Sequence, residues 1–181
     1  RLWQILPLGG VGAGNSPYTS TSAFAGNLLL VDLGELQAAG WLEANELEPV
    51  AGLLEQRVDF DIVRPFRMQR LALAAQRFFA APLRGESFAQ FSRFCEQQQD
   101  WLDDYSLFMA LSETHARMDW CDWPASLAAR EAAALQEARE QQVQRVQFWK
   151  FGQWCFFRQW HKLKAYANQR GVEIIGDVPI F

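Results

Sequence analysis

The chain is poor in the residues that bind metals and form covalent staples. Its 181 residues include only three cysteines and two histidines. Cys95, Cys121 and Cys155 are odd in number and far apart, with no CxxC pair, which excludes a zinc site of the usual spacing and argues against a disulfide framework. No metal site and no cofactor is expected, and the thiols fit a reducing compartment, so a cytoplasmic location. Positive charge is also short: 17 basic residues face 21 acidic ones, for a net charge of -4, and no basic stripe stands out. Nucleic acid is therefore not an expected partner. No run approaches the ~18 apolar residues needed to cross a bilayer, so no membrane partner is expected either. Internal repeats and low-complexity segments are absent. The sequence lacks an initiator Met, and both ends, "RLWQILPL" and "VEIIGDVPIF", fall inside apolar runs. Domain ends are commonly polar and exposed, so the expectation is a piece of a longer chain whose targeting segments cannot be read here.

What is present is apolar and aromatic. Half the residues are hydrophobic and 14% are aromatic, with 8 Trp, a globular composition long enough to bury a core. Residues 2–6, "LWQIL", predict a short strand that Pro7 ends. A glycine-rich loop follows, then the polar stretch "GNSPYTSTSAFAGN". Asp32 with Glu35 resembles a helix start, closed by Gly40. From about Asp61 to Gln144 the pattern is helical, interrupted by the turn-like "MDWCDWPAS" at 118–126. From Arg130 the sequence reads as one long helix, or two, ending near Gly171. Its second half carries aromatics on nearly every face, which predicts burial on several sides. "VEII" then reads as a buried parallel strand. Strand, helical excursion, helix, glycine and strand make a βαβ crossover with a large helical insertion, so the fold class is α/β, part of a (β/α) barrel.

Three residues carry the candidate site. Asp177 follows the second predicted strand, and side chains at the carboxyl ends of barrel strands line the active-site face. Its alternative is an aspartate that caps the next turn. Ser16 and Tyr18 flank Pro17 beyond the first strand, at the same end of the sheet. A ring, hydroxyls and a carboxylate at one face suit a sugar, which offers C–H groups to the ring and hydroxyls to the polar groups. The alternative is a tyrosine packed on loop backbone. "GGVGAG" at 9–14 fails as a dinucleotide fingerprint, because Asn15 stands where the third glycine belongs, so these glycines are expected to shape a loop. The rings between Phe148 and Trp160 are expected to be core rather than a stacking platform. His115 has no serine–acid pair to activate, and His161 reads as a boundary residue.

The blocks "WQILPLGGVGAGNSPYTSTSAFAGNLLLVDL", "DWLDDYSLFMAL" and "FWKFGQWCFFRQWHKLKAYANQRGVEIIGDVPIF" resemble the 4-α-glucanotransferases, also called amylomaltases or disproportionating enzymes, over nearly the whole chain. The resemblance implies an α-amylase-type (β/α)8 barrel, of which this chain would hold about two strands and a large, mainly helical insertion. Residues 1–50 would be a barrel strand and active-site loop, 51–145 the helical insertion, and 146–181 the crossover helix and next strand. It implies transfer of a segment of an α-1,4-glucan to the 4-hydroxyl of another glucan or of glucose, by a retaining double displacement. Tyr18 would be the ring stacked near the cleavage point, Ser16 a polar contact, and Asp177 the acid that bonds sugar hydroxyls. The family's nucleophile, acid/base and third aspartate would lie beyond Phe181, so no catalytic carboxylate is expected here and the chain alone is expected to be inactive. Two departures stand out: Ala13 replaces an aromatic residue in the glycine loop, which puts an accessory glucan contact in doubt, and Leu28 replaces a common proline. A non-catalytic carbohydrate-binding relative and a helical interaction module are the competing readings.

Overall fold

A computed structural model describes residues 1–48, 56–81, 85–115 and 118–177. The boundary read at residues 50 and 51, the closing Val178–Phe181, and the side chain of Ala13 lie outside the described residues. The architecture is α/β and mostly helical. Strand β1 (Leu2–Gln4) and strand β2 (Glu173–Ile175) pair in parallel, with Leu2 opposite Glu173 and Gln4 opposite Ile175. The bond from Ile5 N–H to Ile175 O, at 3.0 Å, extends the ladder toward the carboxyl ends of both strands.

Between the strands lie seven helices among the described residues: α1 (Leu33–Ala38), α2 (Phe60–Ala80), α3 (Glu86–Gln97), α4 (Gln99–Thr114), α5 (Ala125–Ala128), α6 (Ala132–Gln141) and α7 (Val143–Gln169). Asp32 caps α1 as its position predicts, its carboxylate accepting the Gly34 N–H at 2.8 Å. Gly40 and Gly171 end α1 and α7 with φ of +76° and +67°. Trp41 N–H then reaches back to Leu36 O, and Val172 N–H to Ala167 O, so the same left-handed closure turns the chain out of both helices. The helical run read from Arg130 forms two helices, α6 and α7, with Gln142 between them. "MDWCDWPAS" contributes a 3-10 turn at Trp120–Asp122 and the start of the short α5.

The chain forms two compact units. The first comprises Arg1–Arg84 with Gly152–Phe181, the second Gly85–Phe151. This differs from the division read in the sequence, because α2 belongs with the first unit. Its arginines explain why. Arg67 donates to Val31 O, Arg70 Nε to Glu46 O at 2.9 Å, and Arg77 Nη1 to Trp41 O at 3.2 Å. Arg77 also pairs with both carboxylate oxygens of Glu46, at 2.6 and 2.8 Å, and its hydrogen bond holds the Glu46 carboxyl below the usual range. Three side chains of one helix thus satisfy backbone carbonyls of the loop that precedes it. Behind them Val31, Leu36 and Leu71 are fully buried, each contributing about 1.5–3 kcal/mol relative to exposure.

The second unit has its own core of Leu107, Leu111, Trp123 and Ala138, with Phe108, Leu127, Leu135 and Val146 packed on it. His115 stacks on Trp123 with centroids 5.1 Å apart, and its Nδ1 lies 2.9 Å from Leu111 O, so it closes this core. Arg145 pairs with both oxygens of Glu113 at 2.7 and 2.6 Å.

Two expectations about burial are corrected. Helix α7 is not buried along its whole aromatic half: Phe151–Phe156 are buried, residues 157–160 are half-buried, and residues 161–166 are exposed. The far half borders an open groove of about 580 Å³ whose apolar walls include Trp3, Ile5, Leu8, Phe156, Trp160 and Tyr166. The strands are not buried either. Leu2 is 68% exposed, Trp3 48% and Ile175 45%. The sheet has no further strand among the described residues to flank the ribbon. No helix among the described residues is long and apolar enough to cross a membrane.

Candidate functional site

The loop after β1 is built by its glycines and closed by its hydroxyls. A Cβ on Gly12 would lie 1.9 Å from Thr19 O, so only glycine lets the two passes of the loop meet. Gly12 N–H bonds Ser16 O at 3.2 Å and Asn15 N–H bonds Gly12 O at 3.1 Å. Ser16 then caps the 3-10 turn Pro17–Thr19, its Oγ accepting the Tyr18 N–H at 3.2 Å. Thr19 returns two bonds to Ser16 O, from its N–H at 3.4 Å and its hydroxyl at 3.2 Å. The expectation that the glycines shape a loop agrees with this geometry: they feed a three-residue turn, not the N-terminus of a phosphate-binding helix.

That turn lifts Tyr18 toward the end of β2. Tyr18 is 38% exposed, and its hydroxyl donates to Asp177 Oδ2 at 2.8 Å. All three residues picked from the sequence fall in the first unit, and two of them touch. The hydrogen bond to the carboxylate, aided by partial desolvation and the negative charge, raises the Tyr18 phenol above its usual value. The hydroxyl therefore remains a donor throughout the neutral range. Ser16 bears on the pair through the Tyr18 backbone, whose N–H its Oγ accepts. A phenol ring edged by a carboxylate and a serine hydroxyl can offer one apolar face and several hydrogen-bonding groups. Among the described residues, no three His, Cys, Asp or Glu side chains converge to hold a metal.

The far side of the loop is anchored by residues that sequence reasoning missed. Gln153 is fully buried in α7 and bonds both main-chain groups of Gly26: Gly26 N–H donates to its Oε1 at 2.8 Å, and its Nε2 donates to Gly26 O at 2.9 Å. Gln159 repeats the arrangement on Asp32, at 2.7 and 3.1 Å. Lys162 pairs with Glu35 at 2.6 Å. Gly26 must be glycine, because a Cβ there would lie 2.0 Å from Phe156 Cδ1. Asn27 N–H ties back to Leu8 O at 2.8 Å, so the loop from Leu8 to Asn27 closes at its base. The only signal in the sequence was a polar glutamine flanked by residues expected to be core.

Two parallel strands joined through helices, with a phenol and a carboxylate meeting beyond their carboxyl ends, define an α/β protein. Residues 1–181 match the family described as 4-alpha-glucanotransferase, and the chain belongs to it. It is 44% identical over 183 residues to the 4-alpha-glucanotransferase of Thermus thermophilus, covering 100% of this chain and 35% of that protein. The 4-alpha-glucanotransferase of Streptococcus pneumoniae serotype 4 is 42% identical, again over 100% of this chain and 35% of its own length. Among solved structures, the amylomaltase of Streptococcus agalactiae in complex with acarbose superposes with a TM-score of 0.91 at 32% identity, covering 100% of this chain and 36% of that one. The chain thus spans about a third of the length of the relatives it matches.

Proposed function

We propose that this chain is part of a 4-alpha-glucanotransferase that moves a segment of an α-1,4-glucan onto the 4-hydroxyl of another glucan or of glucose. Ser16, Tyr18 and Asp177 bind the donor sugar, with no cofactor. The observation that carries the proposal is the 2.8 Å bond between Tyr18 and Asp177 at the carboxyl ends of parallel strands. Family membership supplies the chemistry, and the acarbose complex of the S. agalactiae amylomaltase supports a sugar as the ligand class. In a retaining displacement, one carboxylate attacks the anomeric carbon while a carboxylic acid roughly 5 Å away protonates the leaving oxygen. A second glucan then takes the place of water. On this reading both groups come from outside residues 1–181, which alone turn over no glucan. Asp177 contributes hydrogen bonds that strengthen as the sugar ring flattens, and Tyr18 covers the sugar face and excludes water.

The fold belongs to the same proposal: β1 and β2 are neighbouring strands of a (β/α)8 barrel, and the helices between them are an insertion followed by the crossover helix α7. The exposed faces of Leu2, Trp3 and Ile175 support this, since further strands and helices of a barrel would cover them. A cytoplasmic location is part of it too, supported by three cysteines that carry free thiols. The test is Asp177→Asn in the full-length protein, reading glucose release from maltotriose beside the thermal midpoint. Turnover should fall by at least about a hundredfold with the fold intact, because a charged acceptor is replaced by a weaker one. A folded variant with near-normal turnover would refute the assignment.

A further inference from the structure

The hydroxyl of Tyr18 donates to Asp177 at 2.8 Å. Its main chain is equally fixed: Ser16 Oγ holds its N–H, Pro17 precedes it, and Thr19 bonds Ser16 O from two directions. Asp177 is held differently. β2 ends at Ile175, and Gly176, whose missing side chain would meet nothing within 4 Å, separates the strand from the aspartate. A donor fixed by its own turn thus faces an acceptor that lies just beyond the strand, and a charge-assisted hydrogen bond is strong enough to favour one rotamer of that acceptor. We propose that Tyr18 is a positioning residue for Asp177: its hydroxyl, and not its ring alone, holds the carboxylate in the orientation that receives the sugar. This rests on the reading of Asp177 as a glucan-binding group.

The consequence is that two properties of one side chain separate. The ring face serves as a platform for the sugar, and the hydroxyl preorganises the neighbouring carboxylate. Were the ring alone at work, Tyr18→Phe would be silent. With the hydroxyl orienting Asp177, Tyr18→Phe leaves the ring and removes this bond to the carboxylate, so the loss falls on turnover more than on KM. The upward shift of the phenol pKa follows from the same contact and offers an independent spectroscopic handle.

The experiment uses the full-length protein and two readouts. Tyrosine ring-carbon NMR follows phenol ionisation in the wild type and in Asp177→Ala. Maltotriose turnover is measured for Tyr18→Phe, Tyr18→Ala, Asp177→Ala and the double variant Tyr18→Phe with Asp177→Ala, each checked for an unchanged thermal midpoint. The expected result is that the Tyr18 resonance titrates above the ordinary tyrosine value of about 10 and falls back toward it in Asp177→Ala. Tyr18→Phe should lose about tenfold to a hundredfold in turnover with KM changed little, and should cost nothing further once Asp177 is gone. An unaltered Tyr18 titration in Asp177→Ala overturns the inference. So does wild-type turnover in Tyr18→Phe beside an impaired Tyr18→Ala, a result that leaves the glucan-binding reading standing. Wild-type turnover in all the single variants refutes that reading and the inference together.

Discussion

Two glutamines of α7 make the same pair of hydrogen bonds at two depths, which allows the cost of burial to be read directly. Gln153 is fully buried and serves both main-chain groups of the buried Gly26, whereas Gln159 is half-buried and serves those of the exposed Asp32. In Gln153→Leu the volume is nearly kept, but the Gly26 N–H and C=O lose the amide and are shut away from water. Each such orphan costs about 1–3 kcal/mol, so the variant should be destabilised by about 2–6 kcal/mol. In Gln159→Leu water reaches the abandoned groups, and the loss should stay below about 1 kcal/mol. Denaturant unfolding followed by tryptophan fluorescence measures both as shifts of midpoint at unchanged slope. Equal losses in the two variants, or a larger one at Gln159, would mean that packing of the α7 aromatics and not main-chain satisfaction anchors the loop.

The tryptophans of α7 should behave differently from each other. Trp154 is 3% exposed against Trp41 and Phe78, with centroids 5.7 and 5.3 Å away, so Trp154→Ala should cost about 3–5 kcal/mol, while Trp160→Ala, in the half-buried wall of the groove, should cost clearly less; thermal melts of the two variants check the order. The thiols should also separate. Exposed Cys121 should react first with a thiol reagent at neutral pH, and buried Cys155, whose thiol desolvation pushes far up, only on unfolding. Burial pushes the Cys95 thiol up to about 11, so its contribution to stability is complete below the ordinary thiol value of about 8.5 and is lost as pH rises from there through about 11, where the unfolded state sheds the proton first. Stability measured across that window in wild type and Cys95→Ser should converge at the alkaline end, and a constant gap would contradict it.

How much of this was legible in the sequence depended on whether the signal was local. β1 and β2 were readable because "LWQIL" and "VEII" are short β-prone runs bounded by Pro7 and Gly176, and their parallel pairing followed from the helical excursion between them. The caps were readable for the same reason: Asp32, Gly40 and Gly171 each act within a few residues of themselves. Tyr18 and Asp177 could be placed at one end of the sheet, yet their direct bond could not be foreseen, since it depends on how far the 3-10 turn at Pro17 lifts the ring. The assignment of α2 was illegible for a similar reason. Nothing local in the sequence marks the partners of its arginines, and only the fold reveals that Arg67, Arg70 and Arg77 find backbone carbonyls between Val31 and Glu46. The exposure of the far end of α7 was missed because aromatic density along a helix predicts burial without saying what buries it.

The anchoring of the loop to α7 has a geometric requirement that ties these pieces to the site. Gly26 meets Gln153, Asp32 meets Gln159 and Glu35 meets Lys162, each pair separated by 127 residues in the chain. A constant separation means that the two segments run in the same direction and advance at the same rate. From Gln153 to Lys162 an α-helix rises about 13 Å. An extended chain of equal length covers about 30 Å and would leave this register within a few residues. The segment beginning at Gly26 must therefore be as compact as a helix, and it is: the 3-10 turn Leu28–Leu30 and the first turn of α1 take up the length. Asn27 supports that turn, its side-chain Oδ1 accepting the Leu29 N–H at 3.0 Å while its own N–H closes the loop on Leu8. One residue therefore links the helical register to the base of the loop that carries Tyr18. The other half of the site, Asp177, follows directly from β2, whose pairing with β1 fixes where that same loop begins. The phenol and the carboxylate thus approach each other from opposite ends of one closed circuit: sheet, loop, compact segment, helix α7, and sheet again.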